Sequence, residues 1–138
     1  ELYSTIIVPN QVPYLGVCLG MQFLAWYYGI SVNRSKQPVH GDTCKVTHSQ
    51  TDLFENIPQN ISVARYNSLE VNPDDLKTSP LSVLAVGNDT NAVMALKHNS
   101  LPICGIQFHP ESFLTHHGLQ IVRIFFNLYA PKPRITAT

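Results

Sequence analysis

Charge is scarce in this sequence. Only 13% of the 138 residues are Asp, Glu, Lys or Arg, against about 25% in an average soluble domain. Nine basic residues cancel nine acidic ones, so there is no basic excess of the kind that nucleic acid or an anionic membrane attracts. The thin polar surface hints instead at a face covered by a partner protein. Cysteine is sparse as well. Cys18, Cys44 and Cys104 form an odd set without a C-x-x-C pair. A disulfide framework is therefore not expected, and a reducing compartment is, the cytoplasm or an organelle.

Long hydrophobic runs are also missing. The most apolar stretch, residues 14–30, carries Gln22 and the small residues Gly16, Gly20, Ala25 and Gly29. It stands at the lower limit of the ~17–25 residues a membrane helix needs, and its glycines divide it into strand, turn and helix. No basic start followed by an apolar core and a small-residue cleavage site marks a signal peptide.

What remains is a well-stocked interior. Hydrophobic residues make up 44%, with six Phe and six Tyr, which excludes intrinsic disorder. The length suits one domain over residues 1–130, followed by a Pro-containing tail or linker at 131–138. Only a scrap of structure is expected before a strand at 14–17. A helix follows from Met21 to Tyr28, with Gly29 where a C-terminal cap belongs. Further strands are predicted at 44–48, 61–66, 81–87, 93–98 and 103–108, the third and fourth joined by a hairpin at 87–91. After Gly118, the residues Ile121, Ile124, Phe125 and Leu128 make one apolar helical stripe. This order predicts an α/β sheet with an added antiparallel portion.

Gly16-Val17-Cys18-Leu19-Gly20 places a cysteine between an apolar strand and an apolar helix. A sharp strand-to-helix turn with small flanking residues projects its central side chain at the sheet's edge. The helix dipole and its free N–H groups favour a thiolate there, and the N–H of Leu19 would face a developing oxyanion. A buried structural cysteine satisfies the same five residues. A base decides between the two readings. Of six histidines (His40, His48, His98, His109, His116 and His117), only His109 closes an apolar strand and precedes Pro110. Proline holds the residue before it extended, and extended chain puts His109 and Glu111 on one side. Nucleophile, base and base-orienting carboxylate are then all present. The His116-His117 pair and the scattered cysteines lack metal-ligand spacing, and no metal site is predicted.

GVCLGMQ at 16–22 together with FHPES at 108–112 resembles the class I glutamine amidotransferases. PVHGDT at 38–43 and ARYNSLEV at 64–71 are similar to the amidotransferases of anthranilate synthase and aminodeoxychorismate synthase, on the tryptophan and folate routes. The resemblance implies a flavodoxin-like amidotransferase fold. It also implies a glutaminase with Cys18 as nucleophile, His109 as general acid/base and Glu111 as its orienting carboxylate. Leu19 is implied as a backbone oxyanion donor, and Gln22, Ser68 and Leu69 as the residues that grip L-glutamine. The implied partner is a chorismate-binding synthase, either separate or fused as a further domain. No cofactor is implied for the amide chemistry; magnesium, where present, would belong to the synthase.

Two departures from the family pattern stand out. Asn67 occupies a position where the family usually carries His. The strands that precede the nucleophile in the family, and a P-G-x loop giving a second oxyanion donor, are not in this sequence, so an N-terminally truncated sheet is expected. It would leave the apolar faces of the first helix incompletely covered. Met21 keeps the histidine and guanine-nucleotide amidotransferases open as alternatives, because they often read C-x-G-M-Q; a non-catalytic domain that docks a synthase is a further one.

Overall fold

A computed structural model describes residues 1–38 and 41–131. Val39 and His40 of the 38–43 motif, and residues 132–138 of the expected tail, lie outside the described residues. In chain order the elements are β1 (Tyr14–Val17), α1 (Leu19–Tyr27), β2 (Val32–Arg34), β3 (Asp42–His48), β4 (Ile61–Arg65), β5 (Leu69–Val71), β6 (Leu81–Gly87), β7 (Val93–His98), β8 (Ile103–Ile106) and α2 (Gly118–Tyr129). Six strands form one sheet in the order β1-β8-β7-β6-β3-β4, and β2 pairs with β5 in a small second sheet. Among the described residues only β1 and β8 run parallel, with Val17 opposite Ile106; the other pairings are antiparallel. The expected α/β sheet with an antiparallel portion is the architecture found.

The two helices cover opposite faces of the sheet. Along a strand, successive side chains alternate between faces. On β8 the Cys104 thiol reaches the Tyr129 hydroxyl of α2 at 3.8 Å, while Gly105 backs directly onto Met21 of α1. One apolar cluster accordingly joins α2, through Ile121 and Phe125, to Val46, Phe54, Val63 and Ile106. The other joins α1, through Met21, Leu24 and Ala25, to Leu81, Leu96 and Ile103. Covered on both sides, β8 is buried at every residue, which is why its sequence is a continuous apolar run rather than an alternating one.

Several boundaries differ from the predicted ones. Helix α1 starts at Leu19, because the chain turns directly at Cys18. Strand β3 starts at Asp42, and β4 and β8 stop at Arg65 and Ile106. Strands β2 and β5 have three residues each, too few for a period to register. Gly29 has φ +79° and follows the last turn of α1 as predicted. Its N–H donates to Trp26 O and that of Ile30 to Ala25 O, both at 3.0 Å, the paired bonds of a glycine-ended helix. The short N-terminal structure is a π-helical turn, Tyr3–Ile7. Its Tyr3 is buried and packs edge-on against Tyr14, Phe23, Tyr27 and Tyr28. Leu19 and Trp26 of α1 stay largely exposed, at 71% and 67%.

Candidate active site

The site lies at the carboxyl ends of two adjacent parallel strands, the place where open α/β sheets bind ligands. Cys18 is the first residue beyond β1, and its N–H donates to Ile106 O at 2.8 Å, extending the ladder by one rung. The backbone there takes φ 53° and ψ −105°, a region an L-residue occupies at a cost of about 1–3 kcal/mol. Cys18 is also the N-cap residue of α1. Its carbonyl accepts the N–H groups of Met21 and Gln22 at 3.1 and 3.2 Å. The N–H of Leu19, in the first turn, has no partner within the helix. The turn is tight. A Cβ on Gly16 would sit 2.5 Å from the carbonyl carbon and oxygen of Gly20, so only glycine lets the strand pass this close. Gly20 is different, since a Cβ there would meet nothing nearer than the Tyr14 hydroxyl at 3.4 Å. Of the two glycines framing Cys18, only Gly16 is sterically required.

His109 leaves the end of β8 and is held by its backbone. Its N–H donates to Ala64 O at 3.3 Å. Thr115 Oγ1 donates to His109 O at 2.6 Å and accepts the Ala64 N–H at 2.9 Å. The ring stands edge-on to Tyr66, with centroids 5.5 Å apart. Nδ1 meets Glu111 Oε1 at 2.6 Å, the i to i+2 meeting that the Pro110 argument predicts. An ionised carboxylate only accepts, so Nδ1 carries the proton and Nε2 is left for other chemistry. Partial burial pushes the Glu111 carboxyl up. Its own backbone N–H, and the hydrogen bond and charge of His109, outweigh this and hold it below the ordinary carboxylate range.

Sγ of Cys18 has its hydrogen bond from Gln107 Nε2, at 3.6 Å, rather than from His109. Gln107 has no place in the pattern of motifs read from the sequence. The same buried amide accepts Gln22 Nε2 at 3.1 Å, and Gln22 Nε2 also reaches Leu69 O at 3.3 Å. Leu19, Gln22 and Leu69 line one open cleft of about 660 Å³, walled further by Tyr14, Phe23, Trp26 and Val32. Ser68 is exposed, and its carbonyl accepts the N–H of Ser35 at 2.9 Å. The structure thus gathers Leu19, Gln22 and Leu69 around one cleft, links Cys18 to Gln22 through Gln107, and pairs His109 with Glu111 beyond the neighbouring strand end.

Beneath the 66–69 loop lies a fully buried guanidinium, that of Arg65. It pairs with Glu70 at 2.8 Å and lies 3.8 Å from Asp89, and its Nε donates to Asn67 Oδ1 at 2.9 Å. The Glu70 carboxylate also takes the hydroxyl of Ser35. The other two cysteines are remote in character. Burial pushes the Cys44 thiol up, against the nearby Arg65, and pushes Cys104 up to about 11. All three cysteines are unpaired.

The site thus has a cysteine at a strained strand-to-helix turn and, beyond the end of the adjacent parallel strand, a carboxylate-bound histidine. The family model of the class-I glutamine amidotransferases matches residues 2–128, and the chain belongs to that family. Among curated relatives, it is 39% identical over 120 residues to the aminodeoxychorismate/anthranilate synthase component 2 of Bacillus subtilis, covering 87% of this chain and 61% of that protein. It is 40% identical over 129 residues to the aminodeoxychorismate synthase of Streptomyces griseus, covering 92% of this chain but 17% of that one. The chain therefore spans about three fifths of the Bacillus component and a small part of the Streptomyces protein. Among solved structures, a GMP synthase-type protein from Thermoplasma acidophilum matches with a TM-score of 0.78 at 32% identity, over 88% of this chain and 59% of that one. A glutamine amidotransferase from Thermotoga maritima, with a TM-score of 0.66 at 22% identity over 89% of this chain and 49% of that one, shares the fold. No helix among the described residues is long and apolar enough to cross a membrane.

Proposed function

We propose that this chain carries the glutamine-hydrolysing chemistry of a synthase that aminates chorismate. His109 Nε2 takes the Cys18 thiol proton as Sγ attacks the carboxamide carbon of L-glutamine, forming a C–S bond while the carbonyl π bond opens and its oxygen gains charge. The N–H of Leu19 receives that oxyanion. Collapse breaks the C–N bond, and His109 gives its proton to the departing ammonia. The same imidazole then takes a proton from water, which attacks the thioester and releases glutamate and the free thiol. Glu111 steadies the imidazolium that forms within each of the two steps, and the proton taken from water returns to the departing Cys18 sulfur. Gln22, Ser68 and Leu69 hold the substrate beside the sulfur. The amide chemistry calls for no cofactor. One observation carries this reading: the strained Cys18 turn and the His109–Glu111 pair leave the ends of neighbouring parallel strands. Catalytic hydrogen bonds often tighten only in the complex with substrate.

The chorismate branch is favoured by the component 2 relatives from Bacillus subtilis and Halobacterium salinarum, the latter an anthranilate synthase component 2 at 39% identity. Three unpaired thiols support a reducing compartment such as the cytoplasm. A guanine-nucleotide role is the second reading, favoured by Met21 and by the Thermoplasma structure. The test supplies the full-length protein with candidate synthases and measures glutamate release with and without chorismate. Stimulation by a chorismate-aminating synthase is expected. Stimulation only by a guanine-nucleotide or histidine-pathway synthase would overturn the partner and keep the cysteine chemistry.

A further inference from the structure

Gln107 is a buried polar residue, 1% exposed, in a chain segment otherwise made of Ile103, Cys104, Gly105, Ile106 and Phe108. Its backbone is fixed by an N–H bond to Met94 O at 2.8 Å, and both ends of its side-chain amide are in use. The neighbours set its orientation. Gln22 Nε2 donates to Leu69 O and to Gln107 Oε1, so Gln107 turns its oxygen to Gln22 and its nitrogen to the sulfur. Reversing the amide would put two N–H groups face to face. The line continues past Leu69, whose carbonyl also accepts Asn67 Nδ2 at 2.8 Å, and Asn67 in turn accepts from Arg65.

We propose that Gln107 is a positioning residue for Cys18: its amide N–H holds the sulfur and, through Gln22, ties it to the Leu69 carbonyl in the substrate cleft. This rests on the assignment of Cys18 as nucleophile. An N–H donor favours the thiolate over the thiol, because hydrogen bonds to charged acceptors are the stronger ones. It also fixes where the sulfur sits relative to the cleft. Gln22 thereby has two roles, one toward the substrate loop and one in keeping the Gln107 amide turned the right way.

The test is the rate at which iodoacetamide modifies Cys18 in the full-length protein, followed by peptide mass across pH. In that reaction the S–C bond forms, iodide leaves and the thiol proton goes to buffer. The titratable groups on the elements around the sulfur are Tyr14 on β1, Tyr27 on α1, Cys104 on β8, and His109 and Glu111 beyond it. All stay in place in the variants. Gln107→Met keeps the length and removes the donor. The expected result is a profile moved upward by about one pH unit, read as roughly tenfold slower alkylation near neutrality. Gln22→Met leaves the bond to sulfur but frees Gln107 Oε1, and about two- to threefold slowing is expected. An unmoved midpoint in a folded Gln107→Met protein overturns the proposal, even with slower alkylation at every pH, since a merely displaced sulfur gives that result. Should Gln107→Met fail to fold, an unchanged rate in Gln22→Met overturns it instead. Glutamine hydrolysis by Cys18→Ser is measured alongside. Its persistence would remove the nucleophile assignment and the proposal with it, whereas its loss beside an unmoved Gln107→Met profile removes the proposal alone.

Discussion

Gln22 of α1 and Asn67 of the loop after β4 donate to the same carbonyl oxygen, that of Leu69, at 3.3 and 2.8 Å. Two residues far apart in sequence thus fix one backbone group from two sides. The loop has little apolar anchoring of its own, as Tyr66 and Ser68 are exposed. It is held by side-chain amides and by the buried Arg65 beneath it.

Asn67 follows from this directly. Asn67→Leu removes both the bond to Leu69 O and the acceptor for Arg65 Nε. It is expected to raise KM for glutamine about tenfold, a loss of roughly 1.4 kcal/mol. Asn67→His, which restores the residue type usual in the family and can both donate and accept, is expected to stay within about threefold of the parent. Steady-state glutaminase kinetics on the three proteins check both outcomes.

The Arg65–Glu70 pair is a matter of stability. Arg65 is wholly buried and Glu70 is its 2.8 Å partner. Removing one member of a fully buried pair strands the other, at about 3–5 kcal/mol; here only Arg65 is fully buried and Glu70 is 25% exposed. Asp89 at 3.8 Å offsets part of that, so Glu70→Ala is expected at the lower end. Urea unfolding measures it. The double variant Arg65→Met, Glu70→Ala is expected to recover much of the loss.

His109 and Glu111 make a kinetic prediction. His109→Ala is expected to lower kcat by about 10²–10⁴, the usual contribution of a positioned acid/base. Glu111→Gln is expected to cost less, because a neutral amide still orients Nδ1 but stabilises the imidazolium weakly. Wild-type turnover in His109→Ala would contradict the assignment.

The lowered Glu111 carboxyl has a pH consequence. A group whose folded pKa is depressed adds stability above its unfolded pKa, near 4.3 for Glu, and loses it as pH falls through the folded value. The gap in urea midpoint between the parent and Glu111→Gln is therefore expected to hold from neutrality to about pH 5 and to close below about pH 4. A gap that closes already between pH 7 and 5 would contradict a lowered Glu111 carboxyl.

Much of this molecule is legible in its sequence. Strands 14–17, 81–87 and 93–98 are found at those bounds, because each is an apolar run closed by turn residues. The Cys18 turn and the His109–Glu111 meeting follow from glycine spacing and from Pro110. The strands β2 and β5 are not legible, since a three-residue strand is set by its partner and not by its own pattern. Gln107 is hidden for the opposite reason. It reads as one polar residue closing an apolar strand, and only the fold reveals that it meets Gln22 and Cys18, both far away in sequence. Its one signal is chemical: an amide buried in an apolar strand must find partners. Tyr3 carries no periodic signal at all, being a single anchor in a short turn.

The most direct test of the central claim is where an electrophilic glutamine analogue attaches to the full-length protein. Cys18 is partly exposed and is linked through Gln107 to Gln22, which lines the cleft with Leu69. Cys44 and Cys104 are buried, and with its thiol at about 11, Cys104 is about one-thousandth thiolate at pH 8. Intact mass followed by peptide mapping is expected to give one adduct per chain, on Cys18, suppressed by excess L-glutamine. Adducts spread over the three cysteines, or labelling of Cys18 that glutamine does not suppress, would contradict the account.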